Sequence, residues 1–407
     1  MLLVFHIKCF HRSYLGSYIL SIQYSIFVCG GVSVKINKQR ICVFLAVLLC
    51  VMLASGCGSE SLTDVFGVSG APQTHSQDRY VYQTLSVSQQ QTYDQMLAAL
   101  MNMQGSVRLS TKDPDEVQTC YEAICADYGE IFWVENCATR VVSLFGHPMR
   151  LQFDVNYAYT PQQVRDYQTQ MQPKIDEYLT ELSACDNDYE KTQLLYRKLI
   201  DEVGYDLEAE NNQNILSVFL GRRTVCQGYA CAVQYLLQQA GIQCAIVTGI
   251  ARGEAHAWNL VRLDGEYYYL DVTWGNASYR ASAQSDDTAF EGINFAYLNI
   301  TSEELFRTHE PSVTFELPAC DSTADSYFVQ NDLYFDGWDA DQAGTRLTQA
   351  YDRGERSISM KFADASQLDQ ACDYLIDERH FRDYCVGADT ICYMVDTDLN
   401  ILNVFFM

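Results

Sequence analysis

One hairpin constrains this chain more than any other stretch. HAWNLVRL (His256–Leu263) and EYYYLDVTW (Glu266–Trp274) are rich in strand-forming residues, and only Asp264-Gly265 separates them. Asp-Gly between two such runs predicts a two-residue turn, because both residues tolerate the positive φ that the turn demands. The turn pairs Leu263 with Glu266 and thereby sets every later pair. His256 is then expected opposite Thr273. Asp271, two residues nearer the turn, becomes its diagonal neighbour on the same face. Diagonal neighbours stand roughly 7–8 Å apart at the backbone, close enough for an imidazole–carboxylate hydrogen bond. Trp258 falls on that face too and is placed to keep water from the pair.

Upstream lies a short apolar helix. Tyr229, Val233, Leu236, Leu237 and Ala240 recur at helical spacing after the polar run GRRT (Gly221–Thr224), and Gly241 stops the pattern. Cys226 therefore sits at the helix N-terminus. Unpaired backbone N–H groups and the positive end of the helix dipole favour an anion there, so a thiol in this place can act as a nucleophile near neutral pH. Arg222 and Arg223 are expected to strengthen that field. The first-turn N–H groups can also receive a developing oxyanion. Gln227, Tyr205, Gln213 and Trp258 are the side-chain candidates for the oxyanion site or the cleft, with ordinary packing as the alternative for each. Alone, a cysteine, a histidine or an aspartate would be structural. Together, Cys226, His256 and Asp271 read as nucleophile, base and orienting carboxylate.

The motifs VCQGYA (Val225–Ala230), HAWN (His256–Asn259) and YYLDVTW (Tyr268–Trp274) resemble the transglutaminase-like branch of the papain-like superfamily. The resemblance extends over roughly Asn187 to Pro318 and is similar to bacterial surface lipoproteins that carry this domain between two smaller ones. It implies an α+β fold: a papain-like core flanked by two smaller α+β modules. It also implies Cys226, His256 and Asp271 as the catalytic residues, acting on a peptide or protein amide without a cofactor.

The remaining sequence frames that core. Residues 1–57 hold Lys8, Arg12, Lys35, Lys38 and Arg40 but no acidic residue. Lys35–Arg40 is a charged segment, Ile41–Ala54 an uncharged, mostly apolar one too short to span a bilayer, and Ala54-Ser55-Gly56-Cys57 looks like a lipoprotein processing site. Cys57 is thus the expected lipidated residue, and the protein is expected on the extracytoplasmic face of a cell membrane. Residues 1–33 precede this signal; either translation starts later, at Val34, or the weaker apolar stretch 13–32 is a membrane segment. Residues 58–77 read as a flexible tether. Residues 78–185 form an N-terminal α+β module, 186–318 the catalytic core and 319–407 a C-terminal α+β module. In the first, Asp113-Pro114 and Thr160-Pro161 predict helix starts, and EIFWV, RVVSLF and MRLQFDVNYAY predict strands. In the last, the order β-α-β-α-β-β suggests a ferredoxin-like or related module. Its segment YFVQNDLYF is expected to be extended, with a closing hairpin about Asp396–Asp398. His309, in the segment that closes the core, reads as a surface or capping residue.

Charge and cysteine usage narrow the partners. The chain carries a formal net charge of −25, which argues against nucleic acid and anionic polymers and weakly favours cationic substrates. The sixteen cysteines show no CxxC pair, so no metal is expected. A disulfide through Cys226 would silence it, and Cys231 shares its helix. Three readings stay open: a thiol acyltransferase that crosslinks, a cysteine peptidase or amidase that uses only water, and a non-catalytic peptide- or glycan-binding or assembly protein. The expected partner of the first two is a peptide or protein, such as a cell-wall or surface protein.

Overall fold

The computed structural model describes residues 3–11, 19–24, 75–144, 147–276, 293–388 and 390–406. The apolar segment 41–54, Cys57, most of the tether and most of the loop after Asn276 lie outside the described residues; the end of the tether enters a 3-10 turn, His75–Asp78.

The N-terminal module packs two helices on an antiparallel sheet. Val87–Met101 (α1) begins at Ser86, whose hydroxyl accepts from the Gln89 N–H while Gln89 answers to the Ser86 N–H. Pro114–Asp127 (α2) begins at Asp113 with proline in its first turn, as the sequence predicts. Leu3–His11 (β1), Ile19–Tyr24 (β2), Ser106–Leu109 (β3), Val134–Leu144 (β4) and His147–Tyr157 (β5) make a sheet in the order β2-β1-β4-β5-β3. The expected strand at EIFWV starts only at Val134. Ile131, Phe132 and Trp133 are all buried in succession, and the Trp133 indole donates to the Leu100 carbonyl at 3.0 Å. A strand would have turned alternate side chains to water.

Two helices lead into the core. Pro161–Leu182 (α3) starts from a Thr160–Gln163 capping box, and Asp188–Glu202 (α4) from the Asn187 side chain. Cys226–Gln239 (α5) follows and is buried on nearly every side, which is the position of a central helix. Leu236 and Leu237 are fully covered, and each stabilises the fold by about 1.5–3 kcal/mol. Cys244–Ala251 (β6), Glu254–Leu263 (β7), Glu266–Leu270 (β8) and His309–Pro311 (β9) form the core sheet, order β8-β7-β6-β9. The first module is joined to α5 through Gln234. Its buried amide donates to the Asp127 carbonyl at 2.7 Å and accepts the Gly129 N–H at 2.8 Å.

The C-terminal segment alternates strands and helices before a closing hairpin, with an extra short helix, Phe381–Tyr384, ahead of that hairpin. Tyr334–Phe335 (β10), Ala340–Asp352 (α6), Ser357–Phe362 (β11), Ala365–Cys372 (α7), Ile391–Asp396 (β12) and Ile401–Phe406 (β13) give a sheet ordered β10-β11-β13-β12. Its β10–β11 pair is parallel. Tyr327–Gln330 is a helical turn capped by Ser326, not the extended segment expected. Among the described residues no helix is long and apolar enough to cross a membrane.

Candidate active site

The turn at Asp264-Gly265 pairs Leu263 with Glu266, and the register runs unbroken to Asn259 opposite Leu270. There the expected ladder ends. His256 pairs with Gly249 of β6 rather than with Thr273, because the chain after Leu270 leaves the sheet and coils into a short helix over residues 272–276. Asp271 caps that helix. Its Oδ1 accepts the Trp274 N–H at 3.1 Å, and its carbonyl accepts the Gly275 N–H at 3.2 Å. The other oxygen is thereby aimed back at the sheet, and the His256 Nε2–H donates to it at 2.7 Å.

Cys226 is the first residue of α5, and its N-cap, Val225, supplies no capping side chain. The first-turn N–H groups therefore have no capping side chain, and such groups favour an anion. The Cys226 sulfur is close enough to the His256 ring to help favour its protonated form. Since Nε2 is engaged by Asp271, Nδ1 is the nitrogen left for the sulfur. Asn259 fixes the helix against this strand, its amide donating to the Ala230 carbonyl at 2.9 Å from a buried position.

Burial opposes charge on His256. The Asp271 carboxylate outweighs it, with a further contribution from Cys226, and raises the imidazole to about 10. Burial likewise opposes ionisation of Asp271, but the His256 charge and hydrogen bonds from two histidines hold it well below the usual carboxylate range. The arrangement is a buried imidazolium–carboxylate pair beside the Cys226 sulfur.

The second of those histidines is His309. It is not on the surface: it is 2% exposed, and its Nε2 stands 3.1 Å from the same Asp271 Oδ2. The pairing of β9 with β6 brings it there, across 38 residues of chain from Asp271. No local pattern marks such a residue; its only signal is a lone histidine in an otherwise polar, helix-ending segment. His256, Asp271 and His309 have the donor set for a cation. Both Nε2 atoms, however, face an ionised acceptor, so they carry hydrogens there rather than lone pairs.

Of the expected site residues, His256 and Tyr205 line the cleft, while Cys226 and Asp271 lie buried behind it. A two-residue parallel bridge sets Tyr205 against Thr224, just before Cys226. Its phenol is pushed up by burial and then by Cys226. Gln227 is buried and donates to the Cys231 sulfur at 3.4 Å, along the helix. Gln213 keeps a buried, unmatched carbonyl oxygen and does not line the cleft. Trp258 is buried and lies near-parallel to the His256 ring, centroids 6.0 Å apart. Arg222 and Arg223 are paired with Glu202 and Asp206 rather than left for the thiol. No two described cysteines are disulfide-bonded.

Gly228 explains how the helix start fits. A Cβ there would fall on the Thr224 hydroxyl, and lie 2.9 Å from the Asn212 carbonyl and 3.1 Å from Ser217 Oγ. Gly228→Ala is expected to destabilise the fold by about 1–3 kcal/mol and to move Cys226. Urea melts and Cys226 alkylation rates would register both effects; a variant indistinguishable from the parent in both would show that the helix start has room to spare.

The cleft measures about 670 Å³. The core supplies one wall, with Tyr205, His256 and Trp274; the β12–β13 hairpin of the last module supplies the other, with Met394 and Asp396. Arg252 bridges the two, pairing with Asp398 at 2.9 Å while lying over the Trp274 ring.

Cys226 at a helix start thus stands beside an imidazole that a buried carboxylate holds. Residues 176–272 match the family model of the transglutaminase-like superfamily, and the chain carries a transglutaminase-like domain. It is 26% identical over 145 residues to kyphoscoliosis peptidase of Mus musculus, covering 31% of this chain and 20% of that protein. The Homo sapiens kyphoscoliosis peptidase is 26% identical over 153 residues, covering 33% and 22%. The matched stretch thus spans about a fifth of those relatives' length. Among solved structures, a TGase matches with TM-score 0.27 at 12% identity over 39% of this chain and 48% of that one. The periplasmic domain of TgpA from Pseudomonas aeruginosa, bound to ethylmercury, matches with TM-score 0.24 at 22% identity over 35% and 64%.

Proposed function

We propose that this protein is a thiol enzyme that transfers the acyl group of a peptide or protein amide, with Cys226 as nucleophile, His256 as acid–base and Asp271 as the orienting carboxylate. The observation that carries this reading is the 2.7 Å His256–Asp271 hydrogen bond beside a cysteine at the start of α5. The Cys226 sulfur, its proton held by His256, attacks the amide carbonyl. The tetrahedral oxyanion is received by the first-turn N–H groups of α5. As the C–N bond breaks, His256 returns the proton to the leaving amine and a thioester remains. Water then yields a carboxylic acid, or a primary amine yields a new amide; both regenerate the thiol. The likeness to relatives named kyphoscoliosis peptidase supports the amide as substrate class.

We place the enzyme at a cell surface, tethered by lipid on Cys57, on the strength of the apolar segment 41–54 and the Ala54–Cys57 sequence; processing there would remove β1 and β2 and leave the sheet as β4-β5-β3. Cys57→Ala should release it from membranes and abolish fatty-acid labelling; continued labelling would end that assignment.

The chemistry is tested with iodoacetamide and a peptide pool. Cys226 should label fastest of the cysteines, and His256→Ala should slow it. Mass spectrometry of the pool, with and without an added primary amine, then reads cleavage or amine incorporation. Labelling of Cys226 no faster than that of buried Cys244, with an unchanged pool, would favour a binding protein instead.

A further inference from the structure

We propose that His309 is a positioning residue for this site, holding the Asp271 carboxylate in place and tempering its grip on His256. The inference rests on the thiol-enzyme reading above and extends it to a residue outside the Cys–His–Asp set.

Asp271 is 1% exposed, so its charge must be met entirely by protein groups. Three donors meet it: the Trp274 N–H on Oδ1, and His256 Nε2 at 2.7 Å and His309 Nε2 at 3.1 Å on Oδ2. Two N–H groups on one oxygen, from two different strands of the core sheet, fix the plane of the carboxylate. They also compete. The positive end of the His309 N–H bond lies near the His256 ring, centroids 5.5 Å apart, and opposes positive charge there. His309 is itself rigidly placed. Its Nδ1 faces the Thr308 hydroxyl at 2.8 Å, and its ring is enclosed by Trp258 and Trp274 at 5.1 and 4.6 Å. The other titratable groups facing this carboxylate are the Tyr205 and Tyr297 phenols, with Cys226 beyond His256 and Arg252 beyond Trp274.

The consequence is chemical. An imidazolium held too strongly is a poor acid toward a leaving amine, since proton transfer is most efficient when the acid's pKa lies near the working pH. By sharing Oδ2, His309 lowers the basicity that Asp271 confers on His256 while keeping the ring oriented.

The test uses the full chain, ¹⁵N-labelled, with His309→Phe (ring volume without the donor) and His309→Gln (a donor near the Nε2 position). In the parent protein, long-range imidazole spectra should show His309 with its hydrogen on Nε2 and slow to exchange. If that hydrogen is absent, or if one equivalent of Zn²⁺ added after chelator treatment removes it from both histidines, the proposal falls whatever the variants do. In His309→Phe the His256 Nε2 hydrogen should move downfield. Cys226 alkylation by iodoacetate, whose negative charge senses the imidazolium, should keep its alkaline limb to a pH about one unit higher. His309→Gln should restore both toward the parent. An unmoved resonance and limb in His309→Phe, with only a lowered melting temperature, would make His309 a packing residue. If Cys226 proves unreactive in the parent, the enzyme reading fails on its own, while the resonance still decides whether His309 shares Asp271.

Discussion

Asp271→Asn is expected to lower amide turnover by about 10³–10⁴-fold while leaving the fold in place. The carboxylate accepts from His256, His309 and the Trp274 N–H. An asparagine can keep its carbonyl on Trp274 only by pointing its NH₂ group at two imidazole N–H groups. The alternative flip loses the cap on residues 272–276. With the cap kept, His256 takes the tautomer with its hydrogen toward Cys226, and a ring in that state cannot receive the thiol's proton. Turnover of the peptide pool, compared with Cys226→Ala as the zero, measures the loss. A variant within tenfold of the parent would mean that Asp271 serves the fold alone.

Stability should depend steeply on pH through the same pair. His256 is raised to about 10 in the folded protein, against roughly 6.5 in an unfolded chain. Its protonated form therefore stabilises the fold fully below about pH 6.5, and that contribution is lost as pH climbs through 10. Asp271 behaves oppositely. Held below the usual range, it stabilises the fold above about pH 4, and its contribution is lost as pH falls further. Urea melts between pH 5 and pH 10 should show the unfolding free energy falling by several kcal/mol on the alkaline side, because each tenfold difference in proton affinity between folded and unfolded chains is worth about 1.4 kcal/mol. His256→Gln should flatten that slope. Equal slopes in the two proteins would show that the pair does not form in solution.

Much of this site is readable in one dimension. Asp264-Gly265 dictates the register from Leu263 to Leu270 through turn geometry alone, and a period-two strand then assigns each side chain to a face. Cys226 is placed by apolar spacing that begins immediately after it. The reading misleads where the backbone changes character. Pairing His256 with Thr273 assumes a strand through Trp274, but an aspartate can end a strand by capping a helix, and Asp271 does so. The hydrogen bond forms nonetheless, because Asp271 directly follows the last paired residue, Leu270, and the cap turns the carboxylate toward the ring.

Other features depend on elements that meet only after folding. Nothing near His309 foretells that β9 will pair with β6, and nothing near Met394 that its hairpin will wall the cleft. Proximity in sequence assigns Arg222 and Arg223 to the thiol, yet their long side chains follow the nearest acids, Glu202 and Asp206. Local sequence determines what is local: the hairpin, the helix starts, and the residue types set at each. Tertiary structure decided which groups share Asp271, which module closes the cleft and which candidate donors face it. Those are contacts between distant segments, selected by how whole surfaces pack together, and no spacing along the chain encodes them.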